Sequence, residues 1–132
     1  MTMGLNRNTP ARNDLYQNVQ YLRKDFTFAD NGKVLTVGTL PAGAVILKAV
    51  SGVNISTVFN AGTSNVLDVG TTADDDLYAT DLALGTAGLI PLDEAVSMYV
   101  ASDTTITATP ALTGTAATTG VGQIVIAYAT KN

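Results

Sequence analysis

An antiparallel all-β fold, a jelly-roll-like β-sandwich with an extended or partly helical N-terminal arm, is what this sequence predicts. Three observations carry that expectation. From Tyr21 onward the chain reads as short β-favouring runs separated by Gly, Asp, Asn and Pro. Seven or eight such runs follow one another with almost no helical periodicity. Crossover helices for a parallel sheet are therefore missing, which leaves antiparallel pairing. The strand count suits a double-sheet jelly roll. An immunoglobulin-like sandwich is the rival, but the chain has no Cys and no Trp and so lacks that fold's hallmark.

Residues 1–20 stand apart as an arm, and residues 21–132 form the sandwich domain. The arm is rich in Asn and Arg, carries Pro10 and has no period-two pattern. Leu15, Val19 and Leu22 lie at helical spacing with Asn13 or Asp14 as an N-cap, so a short helix is conceivable there. A piece that short needs a partner surface to become ordered. Leu22, Phe26 and Phe28 then share one strand face, Asp30-Asn31-Gly32 makes a tight turn, and residues 34–39 are the returning strand.

Leu40-Pro41-Ala42-Gly43 is the next loop. Residues 44–59 read as one long strand, with Val45, Leu47, Ala49, Ser51, Val53, Ile55, Thr57 and Phe59 on one face and a bend at Gly52. Residues 66–70 are a strand with Leu67 and Val69 on one side, and residues 77–84 a brief strand or crossing. Leu89, Ile90, Pro91 and Leu92 form a short apolar run that Pro91 confines to an edge. Val96, Met98 and Val100 mark a further strand, and residues 104–109 a Thr-rich one. Residues 110–120 read as a flexible loop, and residues 121–129 as the last strand with Ile124, Ile126 and Tyr128 inward.

Composition removes whole classes of chemistry. With neither Cys nor His in 132 residues, thiol nucleophiles, Cys/His zinc sites and imidazole-based triads are excluded. Charged residues are 14% and hydrophobic residues 46%, which does not fit a disordered chain. No apolar run approaches the ~18 residues of a membrane-spanning helix. Residues 1–9 lack the hydrophobic stretch of a secretory signal, so assembly in a cytoplasm is expected.

Charge is divided along the chain. Residues 1–48 hold Arg7, Arg12, Arg23, Lys24, Lys33 and Lys48 against Asp14, Asp25 and Asp30, while the remainder holds eight acids and Lys131. An acidic body repels nucleic acid, and neither nucleic acid nor membrane is expected as a partner.

The carboxylates invite two readings. Asp74-Asp75-Asp76 has the charge for a hard cation but not the spaced pattern of a calcium loop, and a solvated loop is expected. Asp93 with Glu94, or Asp81 with Asp103, could be proposed as a glycosidase pair, although nothing in the sequence puts either pair in a cleft. Ser51, Ser64 and Ser102 have no His to activate them. Gly120-Val121-Gly122 lacks the context of a phosphate loop, and Asn54-Ile55-Ser56 is a fortuitous glycosylation triplet. Tyr78 and Tyr99 are the candidates for an aromatic sugar platform. No catalytic, metal or cofactor residue is expected.

A family likeness rests on Val37-Gly38-Thr39-Leu40-Pro41-Ala42-Gly43-Ala44-Val45-Ile46, then Phe59-Asn60-Ala61-Gly62-Thr63, Val69-Gly70, the Asp74 to Asp76 loop and Thr86-Ala87-Gly88-Leu89. In that order these segments resemble the small jelly-roll cement, or decoration, proteins encoded among tailed-bacteriophage head genes. The resemblance implies a non-enzymatic virion protein on the outside of the head, without a cofactor, made in the host cytoplasm. It implies major capsid protein as partner and a homo-oligomer, dimer or trimer, as the assembled state. The basic residues Arg7, Arg12, Arg23 and Lys24 are then expected to contact the capsid. A glycan- or receptor-binding appendage of the phage particle is the alternative.

Overall fold

The computed structural model describes residues 19–130. Nine strands run in chain order as β1 (Val19–Thr27), β2 (Leu35–Leu40), β3 (Val45–Ile46), β4 (Gly52–Thr57), β5 (Ser64–Thr71), β6 (Ala79–Ala83), β7 (Gly88–Pro91), β8 (Thr104–Thr113) and β9 (Val121–Ala129). They form two packed sheets, β1-β9-β4-β7 with the short β3 also on β9, and β2-β8-β5-β6. Every pairing is antiparallel.

The connectivity is that of a ribbon folded over and rolled up. β1 pairs with β9, β2 with β8, β4 with β7 and β5 with β6, while β4–β9 and β5–β8 contacts join successive turns of the roll. This is the jelly roll expected from the sequence.

Period-two alternation places the core between the sheets. Gly122, Ile124, Ile126 and Tyr128 of β9, Val53 and Ile55 of β4, Leu67 and Val69 of β5, and Ile106 and Ala108 of β8 are all buried. At one end Phe26 stacks on Phe59 with ring centroids 5.3 Å apart. Gly122 makes room for that pair, since a Cβ there would lie 2.9 Å from the Phe26 ring.

Several expectations are corrected by long-range contacts. Residues 34–39 do not return beside β1; the strand there, β2, crosses to the other sheet and pairs with β8. The corner is a 3-10 turn, Phe28–Asp30, closed by a capping box in which Thr27 Oγ1 accepts from Ala29 N–H and Asp30 accepts from Thr27 N–H. Phe28 consequently sits on this turn, 37% exposed, instead of sharing a face with Phe26. Val19 and Leu22 lie in strand β1, so neither belongs to a helix with Leu15, which is outside the described residues.

The run over residues 44–59 is broken into β3, a 3-10 turn at Lys48–Val50, and β4. Ser51 is the pivot. Its buried hydroxyl donates to Leu47 C=O at 2.7 Å and accepts from Ala127 N–H at 2.9 Å, tying the turn to β9. Gly52 follows at φ +152, where an added Cβ would stand 2.0 Å from Ile90 C=O, so the expected bend is real and glycine is required.

Val96, Met98 and Val100 do not make a strand. Apart from one bridge between Val45 and Tyr99, that segment is irregular and Val96 is exposed. β8, conversely, runs through Pro110 to Thr113, beyond the limit read from the sequence. Pro110 is tolerated because β2 ends opposite Ala108, so the position of the missing N–H faces the turn at Asn31 and Gly32 rather than a strand. There Gly32 N–H donates to Pro110 C=O. The Asn31 side chain substitutes for a strand, donating to Leu112 C=O at 3.0 Å and accepting from Leu112 N–H at 2.8 Å.

Candidate functional site

The roll gathers its connections at two ends of opposite character. At one end the loops 28–34, 58–63, 84–87 and 114–120 are held together by Phe28 N–H to Gly120 C=O, Phe59 N–H to Leu84 C=O and Gly62 N–H to Thr115 C=O. The charges on these loops are Asp30 and Lys33, which pair at 3.7 Å. At the other end lie loops 41–44, 72–78 and 92–103, joined by Gly43 N–H to Val100 C=O and Glu94 N–H to Tyr78 C=O. That end bears Asp74, Asp75, Asp76, Asp93, Glu94 and Asp103. Lys48 reaches it, its Nζ donating to Glu94 C=O at 2.7 Å.

The acidic loop is a closed turn, not an extended segment. Thr71 N–H donates to Asp74 C=O, Asp74 N–H donates to Thr71 Oγ1, and the backbone of Asp74 and Asp75 lies directly over Gly70, whose missing Cβ provides the space. This curvature brings the Asp74, Asp75 and Asp76 carboxylates within 4.8 Å of one another, which alternation in an extended chain would have prevented. A side-chain hydrogen bond with Asp74 raises the pKa of Asp76, helped by partial burial and by the charges of Asp74, Asp75 and Asp68. Asp74 and Asp75 are exposed and Asp76 is half-buried.

Between the Thr71–Tyr78 side of this end and residues 99–105 lies an open cleft of about 460 Å³. Tyr78 forms part of its floor, buried, with its phenol pKa raised by that burial. Tyr99 stands in the wall, 55% exposed. Thus the two tyrosines singled out in the sequence share one site. Asp103 is the carboxylate among the lining residues, and its Oδ1 accepts from Ala42 N–H at 2.9 Å.

The proposed acid pairs do not meet in this cleft. Asp93 accepts from Thr80 N–H at the flank, and Asp81 belongs to β6, where its N–H donates to Asp68. What the sequence left unrecognised is Asp103 as a cleft residue, because only the contact with the loop at Ala42 places it there.

Arg23 and Lys24 are both exposed on β1, but the pleat sends their side chains to opposite faces. Arg23 shares the outer face with Tyr21 and with Asp25, which accepts from Gln123 Nε2 at 2.7 Å. Arg7 and Arg12 lie outside the described residues.

The fold defines a jelly-roll β-sandwich without a helix long and apolar enough to cross a membrane among the described residues. No protein-family model matches the chain, and no curated protein matches it in sequence. Among solved structures it is similar to a chain of the capsid asymmetric unit of cyanophage Pam1. The likeness has a TM-score of 0.58 and 21% identity and covers 86% of this chain and 84% of that one.

Proposed function

We propose that this chain is a non-enzymatic virion structural protein that binds the outer surface of a tailed-phage head and reinforces it by bridging major capsid protein subunits. The observation that carries this reading is the structural likeness to a chain of a phage capsid asymmetric unit, which spans most of both chains. The near-equal coverage means that the two chains are of comparable length.

The sheet edges supply a mode of attachment. β7 has four residues and contains Pro91, β6 carries a register shift and Asp81 at φ 55, and β2 carries a register shift between Thr36 and Gly38. All three are blunted against further pairing. β1 is nine residues long, in unbroken register with β9, and contains neither Pro nor Gly. Its guard is charge, in Arg23, Lys24 and Asp25. An acidic strand or surface on the shell neutralises the two cations and turns that guard into a selective contact. Arg7 and Arg12, in the segment leading into β1, extend the same basic character. A homo-oligomer on the head would multiply the contact by avidity.

The test is binding to purified heads that lack this chain, read by co-sedimentation and by electron cryomicroscopy of the reconstituted particles. Full-length protein should decorate the outer surface. Removing residues 1–18, which leaves β1 whole, or combining Arg23→Glu with Lys24→Glu, should keep the fold and abolish retention. Failure of the full-length chain to bind heads refutes the function, whereas retention by both variants refutes the basic contact.

A further inference from the structure

We infer that the cleft between residues 71–78 and 99–105 is a binding site for a neutral carbohydrate, with one sugar ring stacked on Tyr99. The inference does not depend on shell binding. Its starting point is a large aromatic ring left 55% exposed in a concave site of about 460 Å³, within the size range of small-molecule sites. An exposed tyrosine face offers an apolar, electron-rich plate to the C–H face of a pyranose, while its hydroxyl stays in water.

The surrounding groups select the ligand class. Thr72 and Asp103 line the cleft, and the half-buried Leu77 adds apolar surface beside them. Asp103 keeps one carboxylate oxygen beyond the one used by Ala42 N–H, and a carboxylate accepts strongly from sugar hydroxyls. No Lys or Arg is among the lining residues, and Asp74, Asp75 and Asp76 lie on the adjoining loop. Phosphates, sulfates and acidic sugars are therefore repelled. An organic cation would also suit a tyrosine and a carboxylate, but it would leave the apolar wall and the threonine hydroxyl unused.

The experiment titrates isotope-labelled full-length protein with maltotriose, cellotriose and chitotriose as neutral probes, sialyllactose as an acidic probe and methylammonium as a cationic one. Amide shifts are followed by NMR. At least one neutral trisaccharide should shift Thr72, Tyr99 and Asp103 saturably, and sialyllactose should not bind more tightly than it. Tyr99→Ala should lower that affinity about tenfold while leaving Tm unchanged, because the ring is largely exposed. Asp103→Asn, which retains an acceptor for Ala42 N–H, should weaken sugar binding by a smaller factor. The inference is overturned if no neutral probe moves these amides, if methylammonium alone does, or if Tyr99→Ala binds sugar as the parent does. Head binding by Tyr99→Ala, measured in parallel, should be unchanged and keeps the two readings separable.

Discussion

Single residues hold the junctions of this molecule, and Ser51 is the clearest case. Its hydroxyl closes the Lys48–Val50 turn and also satisfies Ala127 N–H in the interior. Ser51→Ala leaves that buried N–H unpaired, so a loss of about 1–3 kcal/mol is expected from denaturant titration. Asp75 acts in the opposite sense. Asp76 holds its proton to higher pH in the folded state than in the unfolded chain, so its contribution favours folding on the acid side and is lost as pH rises above the ordinary carboxylate range. Asp75→Asn should therefore raise Tm slightly at neutral pH in low salt. The gain should shrink in high salt and disappear once the carboxylates are protonated. A destabilisation at neutral pH would mean that the acidic loop is held by something other than its own turn. Period two puts Ser51 on the inward face in the sequence, but its two partners depend on the break in the strand and on a strand 76 residues away.

At the scale of elements, local pattern and long-range contact divide the work. β9 is legible because Ile124, Ile126 and Tyr128 recur at period two on the buried face, even though Val125 between them is half-buried and Ala127 is buried as well. The turn at Asp30, Asn31 and Gly32 is legible too, yet its use is not: the same tripeptide serves a hairpin or a corner between sheets. The Asn31 clamp on Leu112, 81 residues away, fixes the corner and allows β8 to continue past Pro110. Asn31→Ala should cost about 1–3 kcal/mol and speed hydrogen exchange at Leu112 more than at Ile124, since it frees one end of β8. Equal exchange at both positions would deny the clamp. β1 is the element on which the proposed attachment depends, and its length and unbroken register emerge only with β9 beside it.

Across the whole molecule, the two sheets share one core, so damage at either end should be felt throughout. Phe26 is 2% exposed and stacks on Phe59 across the roll. Phe26→Ala should lose about 3–5 kcal/mol and leave one cooperative unfolding transition. Two separated transitions would show that the sheets are independent. The same architecture concentrates carboxylates at one end and leaves the other with the Asp30–Lys33 pair, so the molecule is electrostatically polar along the roll.

What the sequence by itself determined is the class of fold, the inward residues of most strands, the edge position of Pro91 and the exclusion of thiol and imidazole chemistry. Each of these follows from residue type or from a period of two, which are local properties. The tertiary structure alone decided that β1 lies on β9, that residues 44–59 break at Ser51, and that Tyr78, Tyr99 and Asp103 line one cleft. The reason is physical: alternation states which face a side chain occupies but not which strand lies beside it. Neighbours in a rolled ribbon are chosen by packing between residues as far apart in the chain as Gln20 and Tyr128.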